Sequence, residues 1–295
     1  KKLQLKSNLK IMIIDSTKDI IYRRLFETGK SYIGFSFGAP FIFDQDDIDK
    51  FDGNLINSHG SPLPEYKGGG GYSWRILQND KRGSTLIHLI NTKIDEGSIV
   101  FRKDFTFEES DRLPIDYHNK QLLEDRKNIL PWLKLILSGE KEFEIIDKNQ
   151  SKNNFETYFP RLSTDHHGFL DWQMNIDHIE RFICAFSYPY SGAKTFIRGK
   201  LVSIIDCKRL SRNENHPYLI GLITSKTSEE LIVALIDGFI KIKLSDLKSD
   251  IEDIKINIGD RFLTPKDILD ERFNKRIFYT PNGINIKDYQ INYER

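Results

Sequence analysis

Asn57, His59 and Ser61 occupy alternate positions in the string NSHGSPLPEYKG, residues 57–68. If 53–59 is a strand, alternation puts their side chains on one face. An asparagine amide is a neutral NH2 donor suited to a developing oxyanion, and an imidazole near its ordinary pKa takes or gives a proton at neutral pH. Together they suit acyl transfer. Pro62 and Pro64 cannot continue a β-ladder, so they end the strand and stiffen the loop that displays the pair. Asp95, in TKIDEG (92–97), is a third candidate, because a carboxylate reaching His59 would orient the ring and stabilise its charged form. Taken alone, Asp95 is a turn aspartate bonding its own backbone, His59 a half-buried histidine and Asn57 a strand-end cap. The run Gly68-Gly69-Gly70-Gly71 precedes a helix-like stretch and would expose N–H groups to a phosphate. It lacks the Lys-Ser/Thr of a P-loop, so a flexible or closely packed loop stands beside that reading.

These residues need a scaffold, and the pattern supplies one. LKIMIID (9–15) reads as a buried strand, and 16–29 as a helix with Ser16 as N-cap and Gly29 as stop. Residues 32–43 read as a second strand ending in Gly38-Ala39-Pro40, 44–51 as a short helix and 53–59 as a third strand. This rhythm is that of a parallel sheet, whose carboxyl edge binds ligands. Residues 72–80 look helical, 84–91 and 98–105 β-type, and 111–138 one long helix bent at Pro131. A polar connection follows at 141–156. After a helix at 175–187, short alternating runs from 193 to 263 suggest a small antiparallel barrel or sandwich. The expected division is 1–156 and 157–295.

Composition limits the partners. The 295 residues include 44 Lys+Arg against 43 Asp+Glu, a formal charge of +1, which argues against nucleic acid and leaves a small anionic ligand open. No apolar run reaches the ~20 residues of a membrane span, and the opening residues lack a signal-peptide stretch, so a cytoplasmic location is expected. The two cysteines, Cys184 and Cys207, read as buried thiols. His166 and His167 adjoin without ligand-spaced companions, so a surface loop is expected there and no metal. The chain begins with Lys1, and only Met12 and Met174 are methionine, so the expectation is either a missing opening segment or a shortened variant.

The combination of Asn57, His59, Ser61, Leu63 and Pro64 with Gly83, Thr85, Asp95 and Gly97 resembles the formyltransferases that use 10-formyltetrahydrofolate. The resemblance implies a Rossmann-like, mostly parallel α/β sheet, here lacking its N-terminal portion, and transfer of a formyl group from N10 of the folate to an amine. It makes His59 the general base or proton shuttle, Asn57 an oxyanion donor and Asp95 the residue that orients His59 and ordered water. Phe37, Gly38, Ala39, Pro40, Phe41 and Ile42 would flank the pterin, opposite Lys93 and Ile94. YFPRLSTDHHGFLDW (158–172) and ERFICAFSYPYSGAKTF (180–196) resemble the formyltransferases of methionyl-tRNA and of nucleotide-linked amino sugars, whose chains end in an OB-like barrel. GGGGYSWR (68–75) is similar to the sugar enzymes, which implies a nucleotide-linked amino sugar as acceptor, used in surface polysaccharide synthesis, and a homodimer. Ser61, Lys67, Gly68, Tyr72 and Arg75 would then bind the acceptor, with the glycine loop, Lys67 and Arg75 at its diphosphate. Tyr72 or Trp74 would stack on the base, or Trp74 would fill the core. Methionyl-tRNA as acceptor, and a binding module without turnover, are the alternatives.

Overall fold

The computed structural model describes residues 20–28, 32–69, 71–146, 156–249 and 255–288. The strand expected at 9–15 and the start of the helix at 16–29 lie outside these residues; the described helix is α1, Ile20–Leu25. Strand β1 is Gly34–Phe37, shorter than expected because Gly38 turns the chain with φ 57°. Helix α2 (Gln45–Asp49) starts on Asp44, whose carboxylate accepts the Asp47 N–H. Then come β2 (Leu55–His59), β3 (Lys67–Gly68), α3 (Gly71–Gln78), β4 (Arg82–Leu89), β5 (Ile99–Thr106) and α4 (Pro114–Ser138).

The sheet order is β1-β2-β4-β5. β1 and β2 are parallel, as the βα rhythm predicts, whereas β2–β4 and β4–β5 are antiparallel. The sheet is therefore mixed, because β4 and β5 are joined by the short 90–98 connection, too short for a parallel crossover. One face packs Ile56, Ile87 and Val100 against Ile129, Trp132 and Ile136 of α4. That spacing of three to four is what a helix needs to present one apolar stripe. α4 runs unbroken through Pro131, and its N-terminal Arg112 and Leu113 N–H groups are capped by the Asp116 carboxylate.

The second half holds β6 (Tyr158–Phe159), α5 (Thr164–His167), α6 (Ile176–Ala185), β7 (Ala193–Ile197), β8 (Lys200–Ile204), β9 (Lys208–Ser211), β10 (Ile223–Lys226), β11 (Glu230–Leu235), β12 (Gly238–Lys243), β13 (Leu247–Lys248), α7 (Lys266–Asn274), β14 (Lys275–Thr280) and β15 (Gly283–Asp288). Strands form β13-β8-β7 and β10-β11-β12-β9 sheets. Arg261 and Phe262 bridge to Leu222 and Ile197, tying the β7 edge to the β10 edge. The two sheets of the barrel or sandwich expected at 193–263 are joined along this seam. Ile176, Ile179, Phe182 and Ile183 of α6 pack against them.

The two halves share a core. Ile76, Phe107 and Tyr117 belong to the same apolar cluster as Leu170, Ile179 and Phe262. β3 also pairs in parallel with β6 across the expected boundary. Cys184 and Cys207 are free and buried, and burial pushes the Cys184 thiol up to about 12. His166 and His167 are not a surface loop but part of half-buried α5, where His167 Nδ1 accepts the Ser163 N–H and Nε2 donates to the Lys275 carbonyl.

Candidate active site

β2 carries Asn57 and His59 to the rim of a cavity of about 160 Å³. Gly38, Ala39, Phe41 and Ile42, from the loop after β1, form one wall; Asn91, Lys93, Ile94 and Asp95, after β4, form another. Asp95 stands at φ 53°, a left-handed conformation that aspartate tolerates better than most residues.

His59 is held at both nitrogens. Its Nε2 donates to the Tyr66 carbonyl at 2.7 Å, and its Nδ1 lies 3.6 Å from Asp95 Oδ2. The Tyr66 carbonyl is fixed in turn, because the Tyr66 hydroxyl donates to Asp80 and its ring stacks on Phe159 at 4.9 Å. Neutral His59 thus carries its proton on Nε2 and turns the Nδ1 lone pair toward Asp95. Burial lowers its pKa below 6.5, and the Asp95 charge works against that. Burial by itself would raise the pKa of Asp95, but His59, His88 and the Gly68 N–H, which donates at 2.8 Å, bring it down to about 2. Asp95 is a fixed anion beside a base.

His88 completes the group and was not singled out by its sequence context. It faces Asn57 across the β2–β4 ladder. Its Nδ1 donates to the Leu89 carbonyl at 2.8 Å, so Nε2 accepts from the Asn57 amide at 3.2 Å. One amide N–H is thereby used to fix the Asn57 side chain, which leaves the second to donate elsewhere. His88 Nε2 also lies 3.3 Å from Asp95 Oδ1. Besides Phe43, Ile90 and Asn91, Tyr279 of β14 is another lining residue that was missed. Its signal was present: Asn282-Gly283 between two alternating runs is a hairpin sequence.

Several expected assignments need correction. Arg75 does not meet a ligand: it is 0% exposed, its Nε donates to Gly71 O and one Nη to Arg82 O, and it lies against the Tyr72, Phe107 and Tyr117 rings. Lys67 is buried between Glu96 (3.0 Å) and Glu156 (2.8 Å), so its charge is already matched. Ser61 is buried against Gly71, where an added Cβ would come within 2.6 Å of its hydroxyl. Tyr72 faces a separate cavity with Arg161, Phe186 and Ile284. Phe37, 64% exposed, and Pro40 lie outside the cavity wall. Gly68 lines the active-site cavity and lies against the Phe159 carbonyl, and a side chain at Gly69 would meet the Tyr279 hydroxyl at 2.8 Å. Trp74 takes the core reading, donating to the Pro160 carbonyl at 2.7 Å. Among the described residues, no group of three or more His, Cys, Asp or Glu side chains could hold a metal. No helix among them is long and apolar enough to cross a membrane.

A mixed sheet that brings an Asn, a His and an Asp to one cavity, followed by a small β-barrel, defines the formyl transferase class. Residues 42–130 match the family model described as formyl transferase, and 163–254 the one described as formyl transferase, C-terminal domain. The chain belongs to this family. It is 28% identical over 183 residues to the methionyl-tRNA formyltransferase of Streptococcus pyogenes serotype M1, covering 62% of this chain and 55% of that protein. The chain spans about half the length of such curated relatives. In fold it is similar to WlaRD, a sugar 3N-formyl transferase solved in the presence of dTDP and 5-N-formyl-THF (TM-score 0.55, 22% identity, 72% of each chain). It is also similar to the N-formyltransferase of Helicobacter canadensis solved with folinic acid and dTDP-3-aminofucose (TM-score 0.52, 21% identity, 71% of this chain and 72% of that one).

Proposed function

We propose that this protein transfers the formyl group of 10-formyltetrahydrofolate to the amine of a nucleotide-linked amino sugar. The observation that carries the reading is the convergence of Asn57, His59 and Asp95 on one cavity whose facing wall is the 38–42 loop. The cavity of about 160 Å³ seats the reactive end of the donor. Flat apolar surface from Phe41 and Ile42 opposite Ile94 fits a ring there.

The acceptor amine attacks the formyl carbon, forming the new C–N bond and a tetrahedral oxyanion. The free Asn57 N–H donates to that oxygen. His59 Nδ1 takes the proton lost by the amine, and Asp95 Oδ2 stabilises the resulting imidazolium. When the bond from carbon to N10 breaks, the same proton passes to N10, returning His59 to neutrality. Lowered basicity in the buried ring favours this return.

A sugar acceptor is favoured by the formal charge of +1, since a tRNA ligand calls for a positive surface. We place the protein in the cytoplasm, where folate and nucleotide sugars meet, acting as a homodimer in surface polysaccharide synthesis. An assay with 10-formyltetrahydrofolate and a panel of nucleotide-linked 3-amino and 4-amino sugars tests the reading. Formylated sugar is the expected result. Formylation of charged methionyl-tRNA alone, with affinity falling steeply in salt, would replace the sugar by tRNA. Binding of both ligands without product would reduce the chain to a binding module.

A further inference from the structure

The C-terminal hairpin β14–β15 lies beyond both family-matched spans and folds back onto the first half. The Ile42 N–H donates to the Thr280 carbonyl at 3.1 Å, and Arg161 donates to the Tyr279 hydroxyl at 3.0 Å. Between this hairpin and the 93–96 turn lies a cavity of about 740 Å³. It shares Lys93, Ile94 and Tyr279 with the active-site cavity, so the two are neighbours across those three side chains.

We propose that this second cavity receives the nucleoside diphosphate of the acceptor. The inference rests on the reading that the acceptor is nucleotide-linked. Size allows it: a cavity of about 740 Å³ has room for a nucleoside diphosphate. Charge supports it as well. Of the two lining carboxylates, Glu96 is matched by Lys67 (3.0 Å) and Lys93 (3.4 Å), and Asp288 by Lys275 (2.6 Å). Lys287 is exposed, and its ammonium has no carboxylate within ion-pair distance among the described residues; it sits 5.4 Å from the centre of the Phe278 ring. It is placed for a phosphate. Tyr158, Phe278 and Tyr279 line the same cavity and give a base a ring to lie against. A diphosphate held by Lys287 would leave the attached sugar to pass Tyr279 toward His59. The diphosphate role expected of Arg75, Lys67 and the glycine loop thus moves to the hairpin, with Lys67 on the wall of the same cavity but paired to Glu96 and Glu156.

Calorimetric titration of dTDP and of UDP into the full chain tests this without requiring turnover. Saturable binding of at least one is expected, weakened about tenfold or more by Lys287→Ala and further by Lys287→Glu, and largely kept by Lys287→Arg. Tetrahydrofolate affinity should stay the same in all three variants. Lys287 is exposed, so an unchanged thermal midpoint confirms that each variant is folded. Nucleotide affinity that is absent in the wild type, or equal in the wild type and Lys287→Glu, would overturn the proposal. So would a loss of tetrahydrofolate affinity instead, which would assign the cavity to the donor's carboxylate tail. Nucleotide binding lost in Lys287→Glu, together with no formylated product from the wild type, would remove the transfer reading and leave this site standing.

Discussion

At the level of single residues, the site is an amide, an imidazole and a carboxylate, and neighbours set the protonation of the last two. Asn57 has one N–H committed to His88 and a second proposed for the oxyanion, and removal of such a donor costs about 100-fold in kcat. Asn57→Ala should therefore lower turnover by about that factor while tetrahydrofolate affinity stays the same; wild-type kcat would take Asn57 out of this role. Because burial holds the His59 pKa below 6.5, the inflection that His59 contributes to the kcat profile should fall below pH 6.5 and disappear in His59→Ala. Asp95 gives the stability counterpart. Its pKa is about 2 in the folded protein against 3.8 unperturbed, so between those values the unfolded chain binds more protons. Its stabilisation is complete above about pH 4 and lost as pH falls toward 2. At about 1.4 kcal/mol per unit this is about 2 kcal/mol. Urea unfolding of Asp95→Asn should show that deficit at pH 7 and a flatter profile between pH 4 and 2; a profile parallel to that of the wild type would contradict it.

Elements decide whether those residues meet. β2 delivers Asn57 and His59 because its alternation sets both on the cavity side, but Asp95 arrives by a different route, in the connection between β4 and β5. Gly97 makes that connection possible: a Cβ there would overlap the Leu89 carbonyl oxygen, which is backbone and cannot swing away. Gly97→Ala should displace the turn, costing about 1–3 kcal/mol and lowering kcat together. Thermal unfolding and a turnover assay on the same preparation check both effects, and an unchanged kcat would show that Asp95 is held without that turn. His88 enters through ladder register. Its partner is Asn57 only because β4 runs antiparallel to β2, a direction that the local pattern of 84–91 does not contain.

In the whole molecule, the two halves are bound by more than a linker. Ser73 of α3 donates to the Ala185 carbonyl at the end of α6, and Ile76, Phe107 and Tyr117 share the apolar cluster of the barrel half. A boundary near 157 divides the pattern of elements, yet it cuts through packed side chains. Unfolding in urea should therefore be a single transition, with far-UV circular dichroism and tryptophan fluorescence coincident; two resolved steps would show independent halves. Arg75 lies inside this junction, its guanidinium against three rings, the Phe107 ring centre at 4.9 Å among them. Arg75→Ala should cost about 3 kcal/mol, from the cavity and from the carbonyls of Gly71 and Arg82 left without their donor, with no change in ligand affinity among molecules that stay folded.

Asn57, His59 and Asp95 were legible in the sequence because their chemistry is carried by residue type and short spacing, and strand alternation is a local property of the backbone. The parallel β1–β2 pair, the long helix α4 and the β-rich second half were legible for the same reason, since hydrophobic period reports local geometry. What surrounds the site was decided elsewhere. A charged residue on a helix reads as solvent-facing, so the burial of Arg75 needed Phe107 and Tyr117 to arrive from distant segments. Lys67 reads as a ligand cation until Glu96 and Glu156 close on it. His88 and Tyr279 join the cavity only through ladder register and the return of the hairpin. The sequence by itself determined which groups can do the chemistry; the tertiary structure decided which of them are free to meet a ligand, because burial and charge pairing depend on contacts between segments far apart in the chain.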